Sequence, residues 1–182
     1  MAFPVFETER LNLVHITQRY KDEFFDIMSR DEVTKYYGSE SLTDPEEAAR
    51  LIDAFQFGYE SGQGMRWGII WKENGQFLGT IGLNNLNNRS KKAEVGYELH
   101  PDYWGRGITK EAVSEILRYC FEERGFYRLG AVTFPENKPS SGLLKKLGFS
   151  EEGRLRGYIY QRGESHDALI FSLLKPEWEK RE

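Results

Sequence analysis

The residue pattern predicts an α+β domain, a central mixed, mostly antiparallel, twisted sheet flanked by helices. Three observations carry this reading. Apolar residues alternate at period two in several short segments and recur at helical spacing in others. Asn74-Gly75 stands between two alternating segments, and this dipeptide suits the positive φ angles of a tight hairpin turn. A strongly periodic helix from Ile108 to Phe121 joins two strand-like segments, as a right-handed crossover between parallel neighbours requires. The order reads β-α-α-β-β-β-α-β-α-β-β, one domain over residues 1–182.

Leu11 and Leu13 alternate with Asn12 and Val14 in a first strand. Thr17 is placed to cap a helix whose apolar face is Tyr20, Phe24, Ile27 and Met28. Thr43-Asp-Pro-Glu46 has capping-box spacing with proline early in the first turn. It opens a helix carrying Ala48, Leu51, Ile52, Phe55 and Tyr59, which ends near Gly62. Residues 65–71 form a strand, Asn74-Gly75 turns the chain, and residues 76–83 return as its partner. A polar stretch, 84–91, leads to a strand over 92–99. Val95, Tyr97 and Leu99 alternate there, and Pro101 ends it because proline cannot donate to a ladder. Ile108, Ala112, Val113, Ile116, Leu117, Cys120 and Phe121 then make one helical stripe, with Gly125 where a C-terminal glycine belongs. Residues 127–134 are a strand. Pro139 opens a short helix bearing Leu143, Leu144 and Leu147, closed by Gly148. Residues 149–156 and 166–174 are two final strands joined by a polar loop, and residues 176–182 are a frayed tail.

Composition narrows the class of protein. With 39% hydrophobic and 14% aromatic residues, the chain can bury a core without metal or disulfide staples. Its one cysteine, Cys120, excludes an internal disulfide and points to a reducing compartment. No signal peptide or bilayer-length apolar run is visible, so the expected location is the cytoplasm, away from membranes. A net charge of −4 argues against nucleic acid as the main partner. His15, His100 and His166 show no metal-ligand spacing, and no metal is expected.

The stretch between the strand at 92–99 and the long helix carries the chemistry. Gly105 and Gly107 bracket Arg106 just before the helix begins. A helix start leaves N–H groups unpaired and carries partial positive charge. Glycines let a phosphate approach those donors closely. The N–H groups of Gly105, Gly107, Ile108 and Thr109 are therefore candidates for a pyrophosphate cradle, against the plainer reading of a turn that needs two glycines. Arg106 and Lys110 either add charge to the phosphates or are solvated surface.

Trp104-Gly105-Arg106-Gly107-Ile108-Thr109 resembles the Gln/Arg-x-x-Gly-x-Gly/Ala fingerprint of the GCN5-related N-acetyltransferases (GNAT), in the Trp-Gly-x-Gly form of the RimJ/RimL branch. Trp104 and Thr109 depart from the general family pattern. Asn137-Lys-Pro-Ser140, continuing to Gly148-Phe149, resembles the family's Asn-x-x-Ser/Ala segment. The opening 7–13 and the later 153–157 also look like this branch. The resemblance implies a GNAT-like fold, acetyl-CoA as co-substrate and an amine acceptor, in a monomer or homodimer. It implies that the pantetheine arm pairs with Tyr97 to Leu99 as an added strand, and that the Leu99 N–H faces the thioester carbonyl, where charge develops. Asn137 then bridges the cofactor amide or caps the Pro139 helix. Many relatives carry a tyrosine acid for the departing thiolate where this chain has Leu144; Ser140 is the branch's usual alternative.

The base is the least determined role. Glu94, Glu98, His100, Glu164, His166 and Asp167 qualify by type, and Glu98, beside the carbonyl donor, is favoured over them. Neutralising an α-amine of pKa about 8 is far cheaper than neutralising a lysine near ~10.4, so a weak base suits an α-amine acceptor. Cys120, on an apolar stripe, reads as a buried structural thiol. Without a nucleophile, direct attack in a ternary complex is expected. Tyr36-Tyr37 and Phe55-x-Phe57 either line the acceptor cleft or fill core. The leading expectation is acetylation of a protein N-terminal α-amine, ribosomal proteins being the branch's typical target. Acetylation of a small amine, such as an amino sugar, polyamine or antibiotic, is the alternative. A non-catalytic acyl-CoA sensor is the third reading, favoured only by Leu144.

Overall fold

Period-two alternation becomes one eight-stranded sheet in the computed structural model, which describes residues 2–181. The strands are β1 (Phe6–Glu7), β2 (Leu11–His15), β3 (Met65–Trp71), β4 (Phe77–Asn87), β5 (Lys92–Leu99), β6 (Arg128–Thr133), β7 (Ser150–Gln161) and β8 (Glu164–Leu174). They hydrogen-bond in the order β1-β2-β3-β4-β5-β6-β8-β7. All neighbours are antiparallel except β5 and β6. That parallel pair is the crossover expected around the long helix, α4 (Ile108–Arg118), which a π-helical turn extends over Tyr119–Glu123.

Two apolar clusters cover the sheet. The larger joins Leu11, Leu13, Trp67, Val95 and Leu99 to the α4 stripe, and every member of that stripe from Ile108 to Phe121 is buried. The smaller gathers Ile16, Ile70 and Phe77 under α1 (Lys21–Met28) and α3 (Pro45–Glu60), whose Phe24, Ile27, Ala48 and Ile52 face inward. Two further helices are short, α2 (Asp31–Thr34) and α6 (Lys175–Glu179); α5 (Lys138–Lys146) follows β6.

Several local expectations need correction. Thr17 makes no side-chain cap: it precedes a 3-10 turn, Gln18–Tyr20, before α1 begins. The α3 capping box lies one residue later than Thr43. Asp44 Oδ1 accepts from the Glu46 N–H at 2.9 Å, and Glu47 Oε2 accepts from the Asp44 N–H at 3.0 Å. The polar stretch after residue 83 continues β4 to Asn87, because polar residues at a sheet margin can still pair. The expected loop between the last two strands is itself strand: β7 and β8 form one long hairpin turning at Arg162-Gly163, both at positive φ. The expected frayed tail is instead bonded structure: α6 takes in residues 176–179 and the Arg181 N–H donates to Trp178 O at 3.0 Å, while residue 182 lies outside the described residues. Pro176 sits in the first turn of α6, where its missing N–H costs nothing, and Trp178 packs on Phe121 at 5.4 Å between ring centroids.

Candidate active site

The site grows from one irregularity. β5 and β6 pair through only three residue pairs, Lys92↔Arg128, Ala93↔Leu129 and Glu94↔Gly130, although the strands run on to Leu99 and Thr133. Beyond Glu94 they part and leave one edge of β5 without a strand. His100 N–H donates to Leu78 O at 2.7 Å, on the β4 side. Strand alternation therefore turns the N–H and C=O groups of Tyr97 and Leu99 to the opposite, open edge. The Leu99 carbonyl is met there by Trp104 Nε1–H, at 2.8 Å, although the Trp104 side chain is half exposed. A cleft of about 460 Å³ fills the gap, lined by residues that include Val95, Tyr97, Thr133, Asn137, Ser140 and Leu144.

At the end of β5 the chain reaches the glycine turn. Gly105 and Gly107 adopt φ of +72° and +75°, the left-handed region that side chains disfavour, and Gly107 is the N-cap of α4 with no side-chain cap. A Cβ at Gly105 would meet no heavy atom within 4 Å; it would project into open space over the turn. The opening segment holds this turn in place. Arg10 Nη1 donates to Arg106 O at 3.0 Å, while Arg10 Nε and Thr8 Oγ1 donate to the Glu111 carboxylate at 2.7 and 2.6 Å. These bonds hold the Glu111 carboxyl below its ordinary range against the cost of partial burial. The Arg106 guanidinium lies 5.1 Å from the Tyr103 ring centre, and Lys110 lines a groove of about 500 Å³ beside α4 together with Gly107 and Ser114.

The two faces of β5 bring different chemistry to the cleft. On the α5 side, the Tyr97 phenol and Ser140 Oγ lie 2.8 Å apart. Burial pushes the Tyr97 phenol up, and the bond to Ser140 partly offsets that. Asn137 caps α5, its Oδ1 accepting from the Ser140 N–H at 3.4 Å, so the capping reading of Asn137 is realised while its side chain still lines the cleft.

On the other face, Glu98 lies in a buried polar layer. It is 5% exposed, accepts a short hydrogen bond from Thr80 Oγ1, and has Arg66 Nη1 at 3.7 Å from Oε2. Burial pushes the Glu98 carboxyl up, against the pull of Arg66. Glu98 lies on the face opposite Tyr97, buried beside Arg66 and Thr80, and is not among the residues that line the cleft. Glu94 does line the cleft and accepts from Asn85 Nδ2 at 3.0 Å. Among the other acidic and histidine candidates, Asp167 is paired with Arg154, His100 is beside Asp26, and His166 packs on Phe134.

Arg66 reaches the cleft over glycines. It pairs in register with Gly82, and Gly82 with Gly96, so no side chains rise between the arginine and the gap. A Cβ on Gly82 would stand 2.5 Å from Arg66 Nε. Phe55 covers the guanidinium at 4.9 Å, while Phe57 is exposed. Tyr36 and Tyr37 line the cleft, and burial holds the Tyr37 phenol well above its ordinary range, with Glu98 adding to the shift. The Tyr36–Gly38 segment is tied to the hairpin tip. Gln161 Oε1 accepts from the Gly38 N–H at 2.9 Å, and Gln161 Nε2 donates to Thr34 O at 2.9 Å.

Sequence reasoning missed Arg10, Glu111, Arg66 and Gln161, which act through residues distant in the chain; only the buried-position arginine between Met65 and Trp67 offered a local signal. Cys120 is buried, with its thiol pushed up to about 12, as expected of a structural residue. Among the described residues no group of three or more acidic, histidine or cysteine side chains could hold a metal ion, and no helix is long and apolar enough to cross a membrane.

An open strand edge leading to a glycine turn at a helix start fits an extended ligand with amide groups along its length and a pyrophosphate at one end. Comparison with known proteins agrees. Residues 10–150 match the acetyltransferase (GNAT) domain model. The N-acetyltransferase YoaA of Bacillus subtilis is 41% identical over 174 residues, covering 96% of this chain and 98% of YoaA. The [Ribosomal protein uS5]-alanine N-acetyltransferase of Escherichia coli is 27% identical over 66% of this chain and 62% of its own length. A GCN5-related N-acetyltransferase from Brucella melitensis superposes with a TM-score of 0.86 at 23% identity, over 97% of this chain and 80% of that one. The chain belongs to the GNAT family and is an acetyl-CoA-dependent N-acetyltransferase.

Proposed function

We propose that this enzyme acetylates the α-amine of a protein N-terminus, by direct attack of the neutral amine on acetyl-CoA. Acetyl-CoA supplies the activated acyl group as a thioester. In this reading the N–H groups of Gly105, Gly107, Ile108 and Thr109 hold the pyrophosphate, with Arg106 and Lys110 adding positive charge. Tyr97 and Leu99 offer backbone groups on the open edge of β5 to the pantetheine arm, and Asn137 flanks it from α5. Trp104 fixes the Leu99 peptide through its carbonyl. The Leu99 N–H donates to the carbonyl oxygen as negative charge develops there. Ser140 offers its hydroxyl to the departing sulfur. Residues on both walls exclude water and hold amine and acyl carbon together, which supplies much of the rate.

The observation that carries the choice of acceptor is the burial of Glu98. Locked against Arg66 and Thr80, it is not a base that a lysine ammonium could meet. An α-amine, with pKa about 8, needs only Glu94 or water to take its proton; a lysine, near ~10.4, needs far more help. The E. coli relative named for ribosomal protein uS5 supports the same acceptor class. The location that suits such an acceptor is the cytoplasm.

Release of free thiol from acetyl-CoA tests this against three sets of acceptors. These are peptides with free N-termini, the same peptides blocked at the N-terminus but carrying lysine, and free amines such as spermidine and glucosamine. Turnover is expected with the first set alone. Turnover with the free amines at comparable kcat/KM would replace the N-terminal reading with the small-amine one, and no release with any set would leave a sensor.

A further inference from the structure

Tyr97 and Ser140 meet across the cleft in a specific geometry. Ser140 stands on the first turn of α5 and Leu144 one turn later, on the same helix face. Both line the cleft. Leu144 brings only hydrocarbon there. The phenol comes instead from the facing strand, where Tyr97 extends across the cleft to within 2.8 Å of Ser140 Oγ.

A serine hydroxyl has one hydrogen, and its rotor turns to suit its neighbours. Left alone beside an α-helix it commonly donates to a carbonyl one turn earlier, which would point it away from the cleft. A tyrosine hydroxyl, with ordinary pKa about 10, is much the stronger donor of the two. Burial raises that value further, so Tyr97 keeps its proton at working pH. Either oxygen can donate across this contact; the phenol, the stronger acid, is the favoured donor, and the serine then accepts. With that lone pair taken, the serine hydrogen is free to point into the cleft, and a hydroxyl that accepts one bond donates the next more strongly.

We propose that Tyr97 is a positioning residue: it donates to Ser140 Oγ and turns the only Ser140 hydrogen toward the sulfur released in acetyl transfer. The inference rests on the acetyl-transfer reading of the cleft. The C–N bond forms as the C–S bond breaks. The amine loses one proton to water and the thiolate regains one from water. Ser140 keeps its own hydrogen and stabilises the thiolate through the bond it donates.

Tyr97→Phe, Ser140→Ala and the double variant test this, each checked for folding by circular dichroism and for acetyl-CoA affinity by calorimetry. Tyr97→Phe is expected to lower kcat roughly tenfold with affinity for acetyl-CoA changed less than about twofold. The thiol pKa of bound coenzyme A, read from thiolate ultraviolet absorbance, is expected to rise by about one unit in both single variants. The double variant should lose no more than Ser140→Ala alone. Unchanged kcat and thiol pKa in folded Tyr97→Phe would overturn the proposal, as would losses that multiply in the double variant. Should Tyr97→Phe not fold, an unaltered thiol pKa in Ser140→Ala would do so. If the wild-type protein neither binds acetyl-CoA nor releases thiol, it is the underlying reading that fails.

Discussion

The odd and even residues of β5 face different worlds. Val95, Tyr97 and Leu99 join the α4 cluster, and Tyr97 meets Ser140, while Gly96 and Glu98 belong to a polar layer with Arg66, Thr80 and Asn84. The first face is apolar apart from one phenol and packs under α4. The second buries an arginine and a carboxylate side by side, an arrangement that costs desolvation and stabilises the fold only while both partners remain. The lesson is that one strand separates an apolar packing face from a buried ionic one by period-two alternation alone.

That separation can be broken experimentally, and the glycine turn should give the largest effect. Gly107→Val puts a β-branched residue at φ +75° and a side chain over the cradle. Acetyl-CoA binding should become undetectable by calorimetry, with the circular dichroism spectrum retained. Binding at wild-type affinity would remove the cradle from the account. On the even face, Arg66→Leu strands the buried Glu98 and should lower unfolding stability by about 3–5 kcal/mol in chemical denaturation. Adding Glu98→Leu should recover most of that loss; a double variant no better than the single would mean the pair is not the source.

The smallest effect sharpens the same face through pH. The Glu98 carboxyl titrates above its ordinary value of 4.5 in the folded chain. The folded state therefore holds this proton to higher pH than the unfolded state does. Stability from this group is complete below the unfolded value and falls as pH rises through the folded one. In Glu98→Gln that component disappears, so the melting temperature of the wild type relative to the variant should decline as pH climbs above 4.5. A difference that grows with pH would reverse the sign of the argument.

How much of this was legible follows from where the information lies. The α4 stripe and the strands at 65–71 and 92–99 were readable because each is local and periodic, and the structure returns those boundaries closely. The glycine turn was readable because Gly105 and Gly107 bracket one residue just before a periodic helix, and both adopt positive φ. The long hairpin was misread because β7 is almost wholly exposed and shows no alternation, its pairing being dictated by β8. The Arg66–Glu98 layer was hidden for a different reason. It depends on the register that sets Arg66 against Gly82 and Gly96, a fact about three strands together. Glu98 looked available because its neighbours in sequence are at the open edge, while its own side chain points through the sheet.

The parting of β5 and β6 reaches beyond catalysis. The sheet is two leaves, β1 to β5 and β6 to β8, stitched along a spine of three residue pairs. At the far margin a second stitch, Gln161 to Thr34 and Gly38, joins the tip of the second leaf to the helical segment after α1. In the pose we propose for acetyl-CoA, the pantetheine arm lies between them, takes up backbone groups that no strand of the chain itself satisfies, and so becomes a temporary ninth strand. Loading the enzyme and completing its architecture are then one event.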